Sequence, residues 1–292
     1  MDYKNKLNER IELINKALEK YLVPKYPERL YEAMNYSVFA GGKRLRPVLL
    51  LSACEAVGGN IEDAMPFACA LEMIHTYSLI HDDLPAMDND DFRRGKPTCH
   101  KAFDEALAIL AGDGLLTYAF EVMLEAVCNK NESKYAKAAK LIANYSGSQG
   151  MLVGQVVDVQ SEGHKIDDKT LMFIHDNKTG GLIKAALMAG ALIGGADSDT
   201  VGDFEKIGYN MGIAFQIKDD ILDVTSTSEV LGKPILSDIK NNKQTYVSLY
   251  GLDNAQQDYE TLSTGAVKMI NNIGDKADFL SWYASALINR EK

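Results

Sequence analysis

The chain has 292 residues, 46% of them apolar and 25% charged, and a formal net charge of −10. That is enough chain for one large globular domain or two ordinary ones. The acidic balance argues against general nucleic-acid binding, because counterion release needs a basic surface; an anionic substrate would require locally gathered basic residues or metal ions.

The hydrophobic periodicity is helical almost throughout. "LNERIELINKAL" puts Leu7, Ile11, Ile14 and Leu18 on one stripe. "RPVLLLSACEAV" begins with a proline, which a first helical turn tolerates, and is apolar nearly all round, as a central helix would be. "FDEALAILAGDGLLTYAFEVMLEAV" reads as a long helix with small residues for close packing, and "DKTLMFIHDNKTGGLIKAALMAGALIGG" and "FEKIGYNMGIAFQIKDDILDV" as two more. Strand alternation bounded by hairpin turns is absent. Loops are expected at "VGGNIEDAM", "NKNESK", "GHKIDD", "GGADSD" and "TSTSEVLGKPILSDIKNNKQ". With no linker or repeat, the expectation is an all-α single domain over 1–292, a bundle of about ten helices.

Cys54, Cys69, Cys99 and Cys128 form no CxxC pair, which fits idle thiols in a reducing cytosol better than a zinc site. The N-terminal stretch is charged and amphipathic, with no signal-peptide core. The longest uncharged apolar run, "AALMAGALIGGA", has 12 residues, whereas a membrane span needs roughly 20. A cytoplasmic protein with no membrane span is expected.

Two acidic clusters stand out. In "HDDLPAMDNDDFRRGKP", Asp82 and Asp83 are adjacent and Asp88 follows six residues after Asp82. A regular helix would rotate Asp88 about 120° away from Asp82. Pro85 forces a bulge or break that can return it. The apolar "LEMIHTYSLI" runs straight into this cluster, which places it at the mouth of something buried. In "FQIKDDILD", Asp219 and Asp223 lie one turn apart, Asp220 sits between them, and Gln216 extends the stripe. Phe215, Ile217, Ile221 and Leu222 make the segment apolar, and charges rarely enter such surroundings without partners.

Two carboxylate clusters in a helical bundle suit hard cations held through oxygen. Mg²⁺ takes few carboxylates, keeps waters, and completes its shell from substrate phosphates. Basic residues are present to match: Lys43, Arg44 and Arg46 in "GGKRLRP", Arg93 and Arg94 in "DFRRGKP", Lys178 in "NKTGG" and Lys233 in "LGKP". Both charge signs near one cleft imply a substrate with more than one phosphate. "GGKRLRP" lacks the spacing of a nucleotide P-loop. His75, seven residues before Asp82, lies two turns away on the same helix face and is a candidate phosphate contact rather than only a core histidine.

The segments "GGKRLRP", "HTYSLIHDDLPAMDNDDFRRGKPT", "GQVVDV", "KTGGLI", "FQIKDDILDVT" and "LGKPILSD", in this order and spacing, resemble the short-chain trans-isoprenyl diphosphate synthases, most of all the bacterial-type farnesyl diphosphate synthases. The resemblance implies the isoprenoid synthase fold, with helices around a deep central cleft, and a head-to-tail prenyl transfer. Isopentenyl diphosphate would condense with dimethylallyl and then geranyl diphosphate to give (2E,6E)-farnesyl diphosphate. It further implies about three Mg²⁺ per site, replaceable by Mn²⁺, with Asp82, Asp83 and Asp88 in one metal-binding cluster and Asp219, Asp220 and Asp223 in the other. Arg93, Lys178 and Lys233 would contact the allylic diphosphate. Lys43, Arg46, His75 and Arg94 would hold isopentenyl diphosphate, and Thr179 and Gln216 would lie beside the developing cation. An aromatic at Tyr77, with the small Ser78 beside it, goes in this family with a fifteen-carbon product. A homodimer is also implied, and Arg290 is a candidate cover for the second diphosphate. The alternatives are a geranylgeranyl diphosphate synthase and a non-catalytic partner subunit; the second would be expected to have lost aspartates or the lysine of "KTGG", which are all present.

Overall fold

Asp2 caps the first helix by accepting hydrogen bonds from the Lys4 and Asn5 amides, and α1 (Tyr3–Tyr21) buries Arg10, Ile14 and Leu18 on one stripe. The structure is a computed structural model describing residues 2–225 and 244–288. After α2 (Glu28–Val38) come two strongly apolar helices, α3 (Leu45–Ala56) and α4 (Ile61–Asp82). Asn60 caps α4, so "IEDAM", expected as loop, is helical. A two-stranded hairpin pairs β1 (Phe92–Arg93) with β2 (Lys96–Pro97); strands of two residues carry no alternation to read. The short α5 (Cys99–Ala102) leads to α6 (Glu105–Lys130), capped by Asp104.

Then follow α7 (Ser133–Ser146), α8 (Met151–Ser161) and α9 (Asp168–Ile174). The long helix expected from residue 168 onward is interrupted: His175–Thr179 form a π-helical turn before α10 (Gly180–Gly194). The chain continues through α11 (Ser198–Thr225), and beyond residue 243 through α12 (Tyr246–Tyr250), α13 (Leu252–Asn271) and α14 (Asp278–Ile288).

α10 is buried on nearly every face because its "AALMAGALIG" run offers no polar side for water. It packs against α3, α7 and α11, while α4 packs against α3 and α6. Leu49, Leu50 and Leu51 are fully enclosed at this centre, each worth about 1.5–3 kcal/mol of burial. A second apolar cluster joins Leu171, Ile213, Ile217, Ile221, Tyr246 and Tyr259, and it anchors the C-terminal half of α11. α6 is long and apolar enough to span a membrane by length and composition, but it lies against α4, α2 and α7. Its outward residues Ile109, Leu110 and Leu124 are exposed.

Candidate active site

The first acidic cluster sits where α4 stops. Pro85 cannot continue the helix, and the chain turns so that the Asp88 amide donates to the Asp82 carbonyl at 2.9 Å. Asp88 therefore returns beside Asp82, as Pro85 predicted. Desolvation pushes the Asp82 carboxyl above its usual range; Lys178 opposes this, Asp88 adds to it, Arg93 opposes it and Asp158 adds.

Asp83 behaves differently from its neighbour. It is buried, and Arg93 grips both of its oxygens, with Nε at 2.8 and 3.0 Å and Nη2 at 2.6 Å. Asp83, expected in the metal-binding cluster, is held by a guanidinium: one residue of helix rotation, about 100°, turns it from the face of Asp82 toward the hairpin. That hairpin is pinned by the Tyr36 hydroxyl, which donates to the Pro97 carbonyl at 2.8 Å. Thr98 Oγ1 donates to the Asp90 carbonyl at 2.7 Å and so accepts from His100 Nδ1 at 3.1 Å. His100 Nε2 is buried and without a hydrogen-bond partner. Neither Thr98 nor His100 was singled out by sequence.

Arg94 takes a positive φ of 54° and turns away from Arg93, donating to the Gly41 carbonyl. Gly41 and Gly42 adopt φ of 104° and 126°, conformations that favour glycine, and a Cβ on Gly42 would stand 2.6 Å from Arg94 Nη1. Lys43, Arg46, His75 and Arg94 consequently line one open cavity of about 590 Å³, together with Glu72 and Phe215. Burial pulls the Arg46 guanidinium down to about 10, with Glu72 opposing and Arg94 adding, so it stays charged at neutral pH. Desolvation, then Arg46, Arg94, Arg93 and Arg44, hold the His75 imidazole well below its ordinary value, and it is neutral at pH 7. Arg44 also lines this cavity, but its guanidinium is engaged by protein partners. It is buried, pairs with Glu72 at 2.8 Å and donates to Asn15 and the Val38 carbonyl.

The π-helical turn carries Lys178 and Thr179. Lys178 Nζ lies 2.6 Å from Asp158 Oδ2, and Gln155, one turn earlier on α8, donates to Asp82 Oδ1. The approach of α8 is possible because Gly154 has no side chain: a Cβ there would stand 2.2 Å from the Lys178 amide nitrogen. Gln155 and Asp158 belong to the "GQVVDV" segment; their i, i+3 spacing shows that they share a face, but sequence alone assigned them no role.

On the other side of the turn, a Cβ on Gly212 of α11 would stand 2.7 Å from the Gly180 α-carbon. Gln216 and Asp219 lie one and two turns beyond Gly212 on that face, so the π turn stands between the two acidic clusters. Asp219 is exposed and Asp223 is buried. Asp220 accepts from the Tyr246 amide at 2.6 Å, in the first turn of α12, whose N-cap is Thr245. Of the three residues expected as ligands, Asp219 alone is exposed; helix rotation turns Asp220 toward α12, and Asp223 is enclosed. Lys233 and Arg290 lie outside the described residues.

Tyr77 is buried one turn and a half before Asp82, and Ser78 donates to the His75 carbonyl at 2.9 Å. Among the described residues no three His, Cys, Asp or Glu side chains converge as a preformed cage. The donors at hand, Asp82, Asp88 and Asp219, are carboxylate oxygens, and Lys178 and Arg93 stand near Asp82. That set fits a hard cation whose remaining ligands come from a substrate phosphate and water.

The polyprenyl synthetase family model matches residues 27–280. Over 97% of its length the chain is 48% identical to the farnesyl diphosphate synthase of Micrococcus luteus, covering 96% of that protein. It is 46% identical, also over 97% of its length, to the geranylgeranyl diphosphate synthase of Cyanophora paradoxa, covering 95% of it. The crystal structure of an apo FPP/GFPP synthase from Zymomonas mobilis superposes with a TM-score of 0.88 at 35% identity, with 98% of this chain and 99% of that one covered. This all-α chain belongs to the polyprenyl synthetase family, and is a prenyl-transferring enzyme, a prenyl diphosphate synthase.

Proposed function

We propose that the enzyme condenses isopentenyl diphosphate with dimethylallyl and then geranyl diphosphate and releases mainly farnesyl diphosphate, in a reaction that depends on Mg²⁺. The observation that carries this reading is the juxtaposition of two different anion sites. Lys43, Arg46, Arg94 and the neutral His75 line one cavity, and Arg93 and Lys178 stand beside the carboxylates of Asp82 and Asp158. The first site suits a diphosphate bound by side chains alone, and the second a diphosphate that shares hard cations with carboxylates.

Asp82, Asp88 and Asp219 would hold the magnesium, which when bound supplies charge stabilisation to the departing diphosphate. Arg93 and Lys178 orient that diphosphate as the allylic carbon–oxygen bond breaks. Arg46, Arg94 and Lys43 hold isopentenyl diphosphate so that its double bond can attack the allylic carbon, and a proton is then lost. Thr179 and Gln216, on either side of the Gly180–Gly212 contact, offer their side-chain oxygens to the transient positive charge. The aspartates need not act as nucleophiles.

Product length rests on Tyr77. It lies five residues before Asp82, about 7.5 Å deeper along the helix axis, and its bulk closes the direction in which a chain held at Asp82 would grow. A relative named geranylgeranyl diphosphate synthase is nearly as similar as one named farnesyl diphosphate synthase, so the buried Tyr77 is what favours fifteen carbons. A homodimer in which a second copy covers the outward face of α6 accompanies this reading, and light scattering reads it directly. The test of function is incorporation of labelled isopentenyl diphosphate with each allylic primer. Incorporation that needs millimolar Mg²⁺ or Mn²⁺ and stops in excess chelator is expected, and full turnover in chelator would refute it.

A further inference from the structure

Tyr77 is one member of a pair. His81 follows one turn later on the same face of α4, and the two rings meet edge to face, with centroids 5.7 Å apart and planes at 87°. The orientation of His81 is set from the opposite helix. Its Nε2 lies 3.0 Å from the Ile109 carbonyl oxygen of α6. A carbonyl only accepts, so Nε2 carries the proton and donates.

The ring lies so close to α6 that position 112 must lack a side chain. A Cβ on Gly112 would stand 2.1 Å from His81 Nε2 and 2.5 Å from Cδ2. Any other residue there would displace the imidazole. Gly112 thus makes the space, the Ile109 carbonyl fixes the ring, and the ring presses on Tyr77. Asp113, 3.9 Å from the same nitrogen, is more exposed and lies beyond hydrogen-bond distance.

We propose that His81 is a specificity-determining positioning residue: clamped by Ile109 and Gly112 of α6, it holds Tyr77 in the orientation that limits chain growth. Product length is then a property of the α4–α6 contact and not of the Tyr77 side chain alone. This inference rests on the reading that Tyr77 limits the product. It separates His81 from its neighbour Asp82, whose role is in charge stabilisation.

The experiment is product-length analysis of wild type, Tyr77→Ala, His81→Asn, Gly112→Ala and the Tyr77→Ala/His81→Asn double variant, with labelled isopentenyl diphosphate and dephosphorylated products. His81→Asn keeps a donor and loses the ring. It is expected to raise the ratio of twenty- to fifteen-carbon product by roughly 2- to 10-fold, the factor that an edge-to-face aromatic pair is worth. Gly112→Ala is expected to do the same by moving the ring from the α6 side. The double variant should give the product distribution of Tyr77→Ala alone, because the two residues act through one another. An unchanged ratio in both His81→Asn and Gly112→Ala, even with lowered turnover, would overturn the proposal, as would full additivity in the double variant. If wild type already makes mainly twenty-carbon product, or if Tyr77→Ala leaves its distribution unchanged, the reading of Tyr77 itself fails and takes this inference with it.

Discussion

Arg93 binds both carboxylate oxygens of Asp83, at 2.6–3.0 Å, and this pair divides two adjacent aspartates into different duties. Asp82 stands half-buried with Asp88 and Lys178 nearby, where the proposed cation and substrate would meet it. Asp83 holds the Arg93 guanidinium in the ion pair.

The division predicts different metal responses. Asp82→Ala should lower turnover by about 10²–10³-fold and raise the Mg²⁺ concentration needed for half-activation. Asp83→Ala should also lose activity, by about 10- to 150-fold, through the freed Arg93, with the magnesium midpoint nearly unmoved. Magnesium titrations of the two variants check this. Equal shifts would mean that Asp83 opens to the metal.

Asp82 should also cost the empty enzyme stability. Burial raises its pKa in the folded state, so the folded protein binds that proton more tightly than the unfolded chain. This contribution favours folding at low pH and is lost as pH rises through the folded value. Asp82→Asn is therefore expected to raise the melting temperature of the metal-free protein at pH 7 while abolishing most activity. A lower melting temperature would show that the Gln155 and Lys178 interactions outweigh desolvation.

His175 gives a pH dependence of the opposite sign. The imidazole is buried, its Nδ1 has no partner, and desolvation lowers its pKa to about 4, with Asp158 opposing. Folding is fully favoured above the ordinary value of 6.5 and loses stability as pH falls from there toward 4. The full difference corresponds to roughly 3 kcal/mol at 1.36 kcal/mol per pKa unit. Chemical denaturation at pH 7 and pH 5 should show a smaller loss for His175→Gln than for wild type. An equal loss would place the acid sensitivity elsewhere.

The two anion sites should separate kinetically. Arg46→Ala and His75→Ala should mainly raise KM for isopentenyl diphosphate, and Lys178→Ala should mainly impair the allylic substrate. Each removes a hydrogen bond at a charged group, worth about 1.5–3 kcal/mol. Initial rates with each substrate varied in turn check the assignment, and the reverse pattern would exchange the sites.

Much of this site was legible because its residues act through local rules. Pro85 signalled the turn that returns Asp88 to Asp82, and the i, i+4 spacing of Asp219 and Asp223 signalled a shared helix face. What sequence did not show depends on partners that no helical or strand spacing pairs. Asp83 and Arg93 are ten residues apart and meet through a hairpin too short for a periodic signal. The π turn at 175–179 was hidden because the apolar runs that end at Ile174 and resume at Leu182 read as parts of one helix, and close packing at Gly154 and Gly212 positions it from outside. Asp220 and Asp223 looked equivalent to Asp219 as a motif. Only the packing of α12 and the second apolar cluster separates the exposed carboxylate from the one bonded to the Tyr246 amide and the buried one.

The most direct test is primer competition in wild-type enzyme, with geranyl and farnesyl diphosphate offered together with labelled isopentenyl diphosphate and Mg²⁺. Overfilling a closed pocket costs about 1–3 kcal/mol. The buried Tyr77 therefore predicts that geranyl diphosphate is extended with a kcat/KM about 10-fold or more above that of farnesyl diphosphate, leaving fifteen-carbon product. Equal extension of the two primers would contradict it.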